Sequence, residues 1–192
     1  MIEDAELKYM RAEILDRRHQ NGACQAFISS DFSNGTVGDE EVLTRILISP
    51  FHVDRKKGIM TKSAITAAET SGWSVLREQQ ATDLEIKTTA EGLVERARSS
   101  KQPNVGVYGV AKFTCKTIRD FLYIDDVSGS YCVYDTALKE SRSHAEIFQR
   151  VFLTEKEVLS DRRKYMTAAL NDIGIEPVSS YRGGLLSYLS PA

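Results

Sequence analysis

Val42-Leu43-Thr44-Arg45-Ile46-Leu47-Ile48 is the stretch on which the fold turns. Two structures compete for it: a short helix capped by Asp39, or a buried β-strand rich in branched residues and ended by Pro50. The strand is preferred. Downstream, Phe51 to Gly58 is polar and basic and reads as an exposed loop, Ser63 to Thr70 as a short helix stopped by Ser71-Gly72, and Trp73 to Arg77 as a second strand. Thr82-Asp83-Leu84-Glu85 has the form of a capping box, and Ile86, Ala90, Leu93, Val94 and Ala97 follow at helical spacing. Val105 to Phe113 is nearly unbroken in apolar character, as a central strand would be, with Gly106 and Gly109 open to close backbone approach.

Further along, Thr114 to Asp120 predicts a short helix. Phe121-Leu122-Tyr123-Ile124 and Tyr131-Cys132-Val133-Tyr134 predict a hairpin around Asp125 to Gly129. Two more capping-box patterns, Ser143-His144-Ala145-Glu146 and Thr154-Glu155-Lys156-Glu157, predict helices running through Phe152 and through Ile173, with Gly174 as a stop. Upstream, Ile2 to His19 has an amphipathic helical stripe, Cys24 to Ser29 can form a short strand, and Asp31 to Gly38 is loop by composition. The organisation expected is an N-terminal helix (1–22), a core (23–174) and a C-terminal tail or edge strand (175–192). The fold class expected is α+β, a single domain with a mixed or antiparallel sheet of about five strands covered by amphipathic helices.

Composition narrows the function classes. The 192 residues carry 25 Lys plus Arg against 27 Asp plus Glu, a formal charge of −2, with 42% apolar and 27% charged residues. Those proportions belong to an ordinary globular domain and lack the overall basic signature of nucleic-acid binders. Cys24, Cys115 and Cys132 are odd in number and far apart, which predicts no disulfide framework and no paired-cysteine metal site, and points to a reducing cytoplasm. No apolar run approaches the roughly 18–20 residues a membrane span needs. The first residues include Glu3, Asp4 and Glu6, where a secretory signal would be basic.

Three constellations could carry chemistry. The first is His52 with Arg55 and Lys56, part of a segment (53–62) holding one acid against four bases, where an imidazole beside fixed positive charge could hold a phosphate and move a proton. His144 and Glu146 form the second, a His-x-Glu at the start of an expected helix, where backbone N–H groups and the helix dipole favour an anion. The third joins Arg45 on one strand to Ser74 and Arg77 on another. An enzyme acting on nicotinamide dinucleotide or another nucleotide needs such a set: an Arg for phosphate or ribose, a hydroxyl beside it, aromatic faces for the base and a carboxylate for the departing sugar. The order of an Arg on an early strand and a Ser on a later one is similar, over these two short segments, to ADP-ribosyltransferase-like domains, although the sequence defines no catalytic Glu for the resemblance. The Cys/His pattern implies no metal, and no nucleotide-binding glycine loop implies a resident cofactor.

Two functional expectations follow. One is a small protein-binding module or complex subunit whose partner docks on the hairpin aromatics Tyr123, Tyr131 and Tyr134, on the first helix or on the C-terminal tail, with base stacking by the same rings as a variant. The other is an enzyme acting on a nucleotide or a phosphorylated substrate such as RNA or nicotinamide dinucleotide, of transferase or nuclease type. There His52, His144 and Glu146 would be catalytic, and Arg45, Arg55, Lys56, Ser74 and Arg77 would hold phosphate.

Overall fold

Every position from Leu43 to Ser49 is buried, a pattern that suits a strand sandwiched between two apolar layers and not a helix with one solvent face. Leu43 and Leu47 enter one core cluster and Ile46 and Ile48 the other, so the alternation of the pleat serves both faces of the sheet. The computed structural model describes residues 31–99, 104–121, 130–150 and 155–191. The expected N-terminal helix, the strand at 24–29, Tyr123, the hairpin turn and Thr154 lie outside them.

The strands are β1 (Val42–Ser49), β2 (Val53–Asp54), β3 (Ile59–Met60), β4 (Trp73–Arg77), β5 (Gly106–Thr114), β6 (Tyr131–Asp135), β7 (His144–Gln149) and β8 (Glu176–Pro177). Six of them form one sheet in the order β6-β7-β4-β1-β5-β8 and every pairing is antiparallel; β2 and β3 make a separate two-stranded ribbon. The helices are α1 (Asp83–Ser99), α2 (Cys115–Arg119) and α3 (Lys156–Ile173). This is the α+β class expected. Helix α1 lays Ile86, Ala90 and Val94 on one face of the sheet together with Tyr181 and Leu186. Against the other face pack Met166 and Leu170 of α3, Ile118 of α2, and Ala64, Ile65 and Ala68 from two 3-10 turns, where a short helix was expected. No helix among the described residues is long and apolar enough to cross a membrane.

The capping box at Thr82 forms as read: the Glu85 N–H donates to Thr82 Oγ1 at 3.2 Å and the Thr82 N–H donates to Glu85 Oε2 at 2.8 Å. Its counterpart at Ser143 does not. Residues 144–149 are β7, paired with β4 on one side and β6 on the other. The local preference for a cap is outweighed because a strand at this position satisfies two ladders and buries Ala145, Ile147 and Phe148. Ser143 still finds Glu85, whose Oε1 accepts from both its N–H and its hydroxyl at 3.3 Å. A second correction concerns the cysteines: Cys115 is a free buried thiol, pushed up to about 12 by burial, but Cys132 is disulfide-bonded, which removes the thiol argument for a reducing compartment.

The C-terminal segment is edge strand and docked tail at once. Its backbone crosses β5 where Gly106 and Gly109 leave room: a Cβ on Gly109 would stand 2.5 Å from the Glu176 carbonyl oxygen. Tyr181 is fully buried, and Glu78 accepts hydrogen bonds from Thr44 Oγ1, from Tyr181 Oη at 3.0 Å and from Arg182 Nε at 3.2 Å. Burial alone would raise the Glu78 carboxyl; the bonds from Thr44 and Tyr181 and the charges of Arg182 and Lys112 outweigh it and hold it below its usual 4.5.

A methyl group at Gly106 would lie 2.5 Å from the Leu189 carbonyl oxygen and against the backbone of Pro191. Gly106→Ala is therefore expected to lower unfolding stability by about 1–3 kcal/mol in urea titrations, as overpacking does; an unchanged midpoint would place the tail elsewhere. A carboxylate with a lowered folded-state pKa stabilises above its unfolded value and loses that contribution as the pH falls through the folded one. Glu78→Gln should thus be less stable than the parent at pH 7, with the gap in melting temperature closing as the pH is taken below 4.5.

Candidate functional site

The ladder between β1 and β4 holds only two residue pairs, Leu43 with Arg77 and Thr44 with Leu76. Beyond Thr44 the strands part, β1 staying with β5 and β4 with β7 through Trp73. Arg45 fills the gap. Its Nη1 donates to the Ser74 carbonyl oxygen at 2.6 Å, standing in for the ladder bond that is missing, and its guanidinium carbon lies 6.0 Å from the centre of the Trp73 ring.

Arg45 is 8% exposed, and its Nε has no partner among the described residues. Burial, with the charge of Arg96 on α1 added, pulls it down to about 10, so it is a cation at neutral pH, and the Arg96 charge that acts on it has its own sign. A buried charge in that condition costs several kcal/mol unless something anionic completes it.

Across the gap, the β4–β7 register sets Ser74 opposite Glu146 and Leu76 opposite His144, so Ser74, His144 and Glu146 share one face of the sheet. With Arg45, Arg96 and Thr136 they line a cleft of about 460 Å³ whose apolar lining includes Leu93 and Leu138. Glu146 is buried there, and Gly72, at φ +95°, makes room for it: a Cβ on Gly72 would meet the Glu146 carboxyl carbon at 2.9 Å and the Phe148 ring at 2.6 Å. The Nδ1 of His144 lies 3.2 Å from the Thr136 carbonyl oxygen and 2.9 Å from Thr136 Oγ1. A carbonyl only accepts, so the Thr136 carbonyl contact is a hydrogen bond in the tautomer that carries the neutral ring's proton on Nδ1 and its lone pair on Nε2.

Arg45, Ser74, His144 and Glu146 are thus brought together from the residues that the sequence singles out. The rest are elsewhere. His52 is half-buried with Nδ1 accepting from the Ile48 N–H at 3.3 Å; burial and the Arg45 charge push it down to about 3, so it stays neutral and does not line the cleft. The proposed pairing of the two histidines is not assembled. Arg55 and Lys56 are exposed on the turn between β2 and β3, where Asp54 accepts from the Lys56 and Lys57 N–H groups. Arg77 is buried in a structural network, donating to both oxygens of Glu41 at 2.7 Å, to Asp135 and to the Gly35 carbonyl at 2.8 Å. Tyr131 and Tyr134 are buried as well, each edge-on to a phenylalanine ring, Phe121 and Phe148 respectively.

Arg96, Gly72 and Thr136 contribute to the cleft and were not singled out by the sequence. Arg96 follows Leu93 by three positions, so a helical projection anchored on Leu93 would have found it; Gly72 looked like a helix stop. Comparison with protein-family models, with curated proteins and with solved structures gives no match.

The two buried arginines should respond oppositely to loss of charge. Arg77→Met removes the arginine from its ion pair with the fully buried Asp135 and is expected to cost about 3–5 kcal/mol in urea unfolding, whereas Arg45→Met removes a buried cation with no ion pair among the described residues and should leave the ligand-free protein at least as stable as the parent. The reverse order would make Arg45 a pillar of the fold.

Proposed function

We propose that the chain is an enzyme that breaks the glycosidic bond of a nicotinamide dinucleotide and transfers the released ribosyl group to a nucleophile. What carries the proposal is the meeting of a buried, uncompensated Arg45 with Ser74 and Glu146 in one cleft. The similarity of the Arg and Ser segments to ADP-ribosyltransferase-like domains implies a catalytic Glu as their companion, and β7 supplies a candidate at the position directly opposite Ser74. A docking module built on exposed aromatic rings finds no support in Tyr131 and Tyr134, which are buried.

The chemistry divides along the cleft. Phosphate oxygens sit at the Arg45 end, where a charge-assisted bond from a desolvated guanidinium is strongest. The ribose sits toward Glu146 and Ser74. As the bond from C1′ to the nicotinamide nitrogen breaks, its electron pair passes to that nitrogen, which changes from a pyridinium cation to a neutral leaving group. Positive charge develops on C1′ and the ring oxygen, and the Glu146 carboxylate stabilises it more than it stabilises the ground state. An attacking hydroxyl, amine or water then forms the new bond at C1′ and gives up its proton. The Nε2 lone pair of His144 is the acceptor that lies in the same cleft.

Release of free nicotinamide from the dinucleotide, followed chromatographically, is the direct test. Glu146→Gln should lower kcat by about 10²–10³-fold, the range for removing one electrostatic contributor to a transition state, while the dissociation constant for the dinucleotide moves only a few-fold. A parent protein that neither binds the dinucleotide nor releases nicotinamide with water, amine or protein acceptors would dispose of the proposal, as would a Glu146→Gln variant turning over at the parent rate.

A further inference from the structure

Arg96 is the member of the cleft with no assigned task. It stands in the last turn of α1, is exposed, and has no ion pair among the described residues. Its Nη1 runs along the helix over Gly92, where an added Cβ would lie 3.4 Å away. Glycine in a helix interior costs about 1 kcal/mol relative to alanine, and here its bare backbone leaves space for a guanidinium folded back toward the cleft. Arg96 is also close enough for its charge to act on Arg45, so the cleft holds two cations at two depths, one buried and one at the surface.

Two like charges held near each other repel, and the repulsion is relieved by a ligand that brings two adjacent anionic groups. A single phosphate on Arg45 neutralises the deeper charge and leaves the outer one to solvent. Glu146 lines the same cleft and repels phosphate, which leaves the two arginines as the groups that hold the anionic part of a ligand.

We infer that Arg45 and Arg96 form a two-point receptor for a diphosphate, with Arg96 as the residue that separates nucleoside diphosphates and dinucleotides from nucleoside monophosphates. This rests on the nucleotide reading of the cleft and deepens it by naming the group that is recognised. The base plays no part in the discrimination. Being exposed, Arg96 acts through a charge that salt screens with a Debye length of about 8 Å at 0.15 M ionic strength, so the selectivity weakens as salt is added.

The experiment is calorimetric titration of the full chain at about 0.15 M salt with four probes: ADP, AMP, inorganic pyrophosphate and inorganic phosphate. The parent should bind ADP at least about tenfold more tightly than AMP, equivalent to about 1.4 kcal/mol, and pyrophosphate should exceed phosphate in the same sense. Arg96→Ala, a change on an exposed helix face, should bring ADP to within about twofold of AMP while leaving AMP binding within about twofold of the parent's, as loss of one charge-assisted contact to the second phosphate requires. Arg96→Ala that weakens ADP and AMP equally, or preserves their ratio, overturns the inference. So does a parent with no preference, even if it releases nicotinamide. A parent that shows the preference, loses it in Arg96→Ala and yet releases no nicotinamide upholds the receptor and removes the transferase.

Discussion

Arg45 occupies a break between two strands that would otherwise be hydrogen-bonded neighbours, and the cleft exists because of that break. Had β1 and β4 stayed paired past Thr44, the Ser74 carbonyl would face a β1 N–H and the space now taken by the guanidinium would be closed. The long, flexible arginine side chain substitutes one charge-assisted bond for the lost ladder, while the Trp73 ring gives it a surface to lie on. The arrangement is tolerable for the fold and incomplete as electrostatics. Arg77, three residues along β4 from Ser74, shows what completion looks like: two carboxylates and main-chain carbonyls gather around that guanidinium.

How much of this was legible depended on whether the signal was local. The strands at 42–49, 73–77 and 106–114 and helix α1 could be read from the run of branched residues, the turn signals and the Thr82 capping box. Residues 143–149 could not, because the same Ser-x-x-Glu spacing that caps α1 occurs there in a segment whose fate is set by partners on both sides. Local hydrogen-bonding options are worth about 1 kcal/mol, whereas two strand pairings and three buried side chains weigh several times that. The same limit governed the site. Arg45, Ser74, His144 and Glu146 stood out one by one as polar residues in apolar company, yet their grouping follows from the register that aligns Ser74 with Glu146, and register has no local signature. His52 drew attention for its basic neighbours, but the backbone N–H of Ile48 holds its ring and Lys56 and Lys57 are exposed on a turn.

The chain carries a formal charge of −2, and that figure conceals a charged recess. Net charge averages over a surface that includes compensated pairs: Arg163 with Glu69, Arg119 with Asp39, Lys112 with Glu176. The cleft departs from the average because two of its three formal charges are positive and belong to residues with no carboxylate in ion-pair contact among the described residues, while the third, Glu146, stands on a different strand. A field of alternating sign across one cavity is what a bipolar ligand requires, with phosphate at one end and a sugar carbon gaining positive charge at the other.

A receptor of this kind is effective only if its cation is held in place before the ligand arrives, and the backbone around Arg45 is held from both sides. Thr44 gives its hydroxyl to Glu78, which also anchors Tyr181 and Arg182 of the tail; Ile46 is packed under α1. Arg182 sits in the left-handed region at φ +44°, a conformation that costs a non-glycine residue on the order of 1–2 kcal/mol. Its guanidinium offsets that cost with bonds to the Glu78 and Ala81 carbonyls and to Asp83, tying the tail to the turn from which α1 departs. The tail therefore clamps β1 on one side of the cleft and the start of the helix that carries Arg96 on the other. Rigid surroundings confine the freedom that Arg45 keeps to its own side chain, and that confinement reduces the entropy lost when an anion binds.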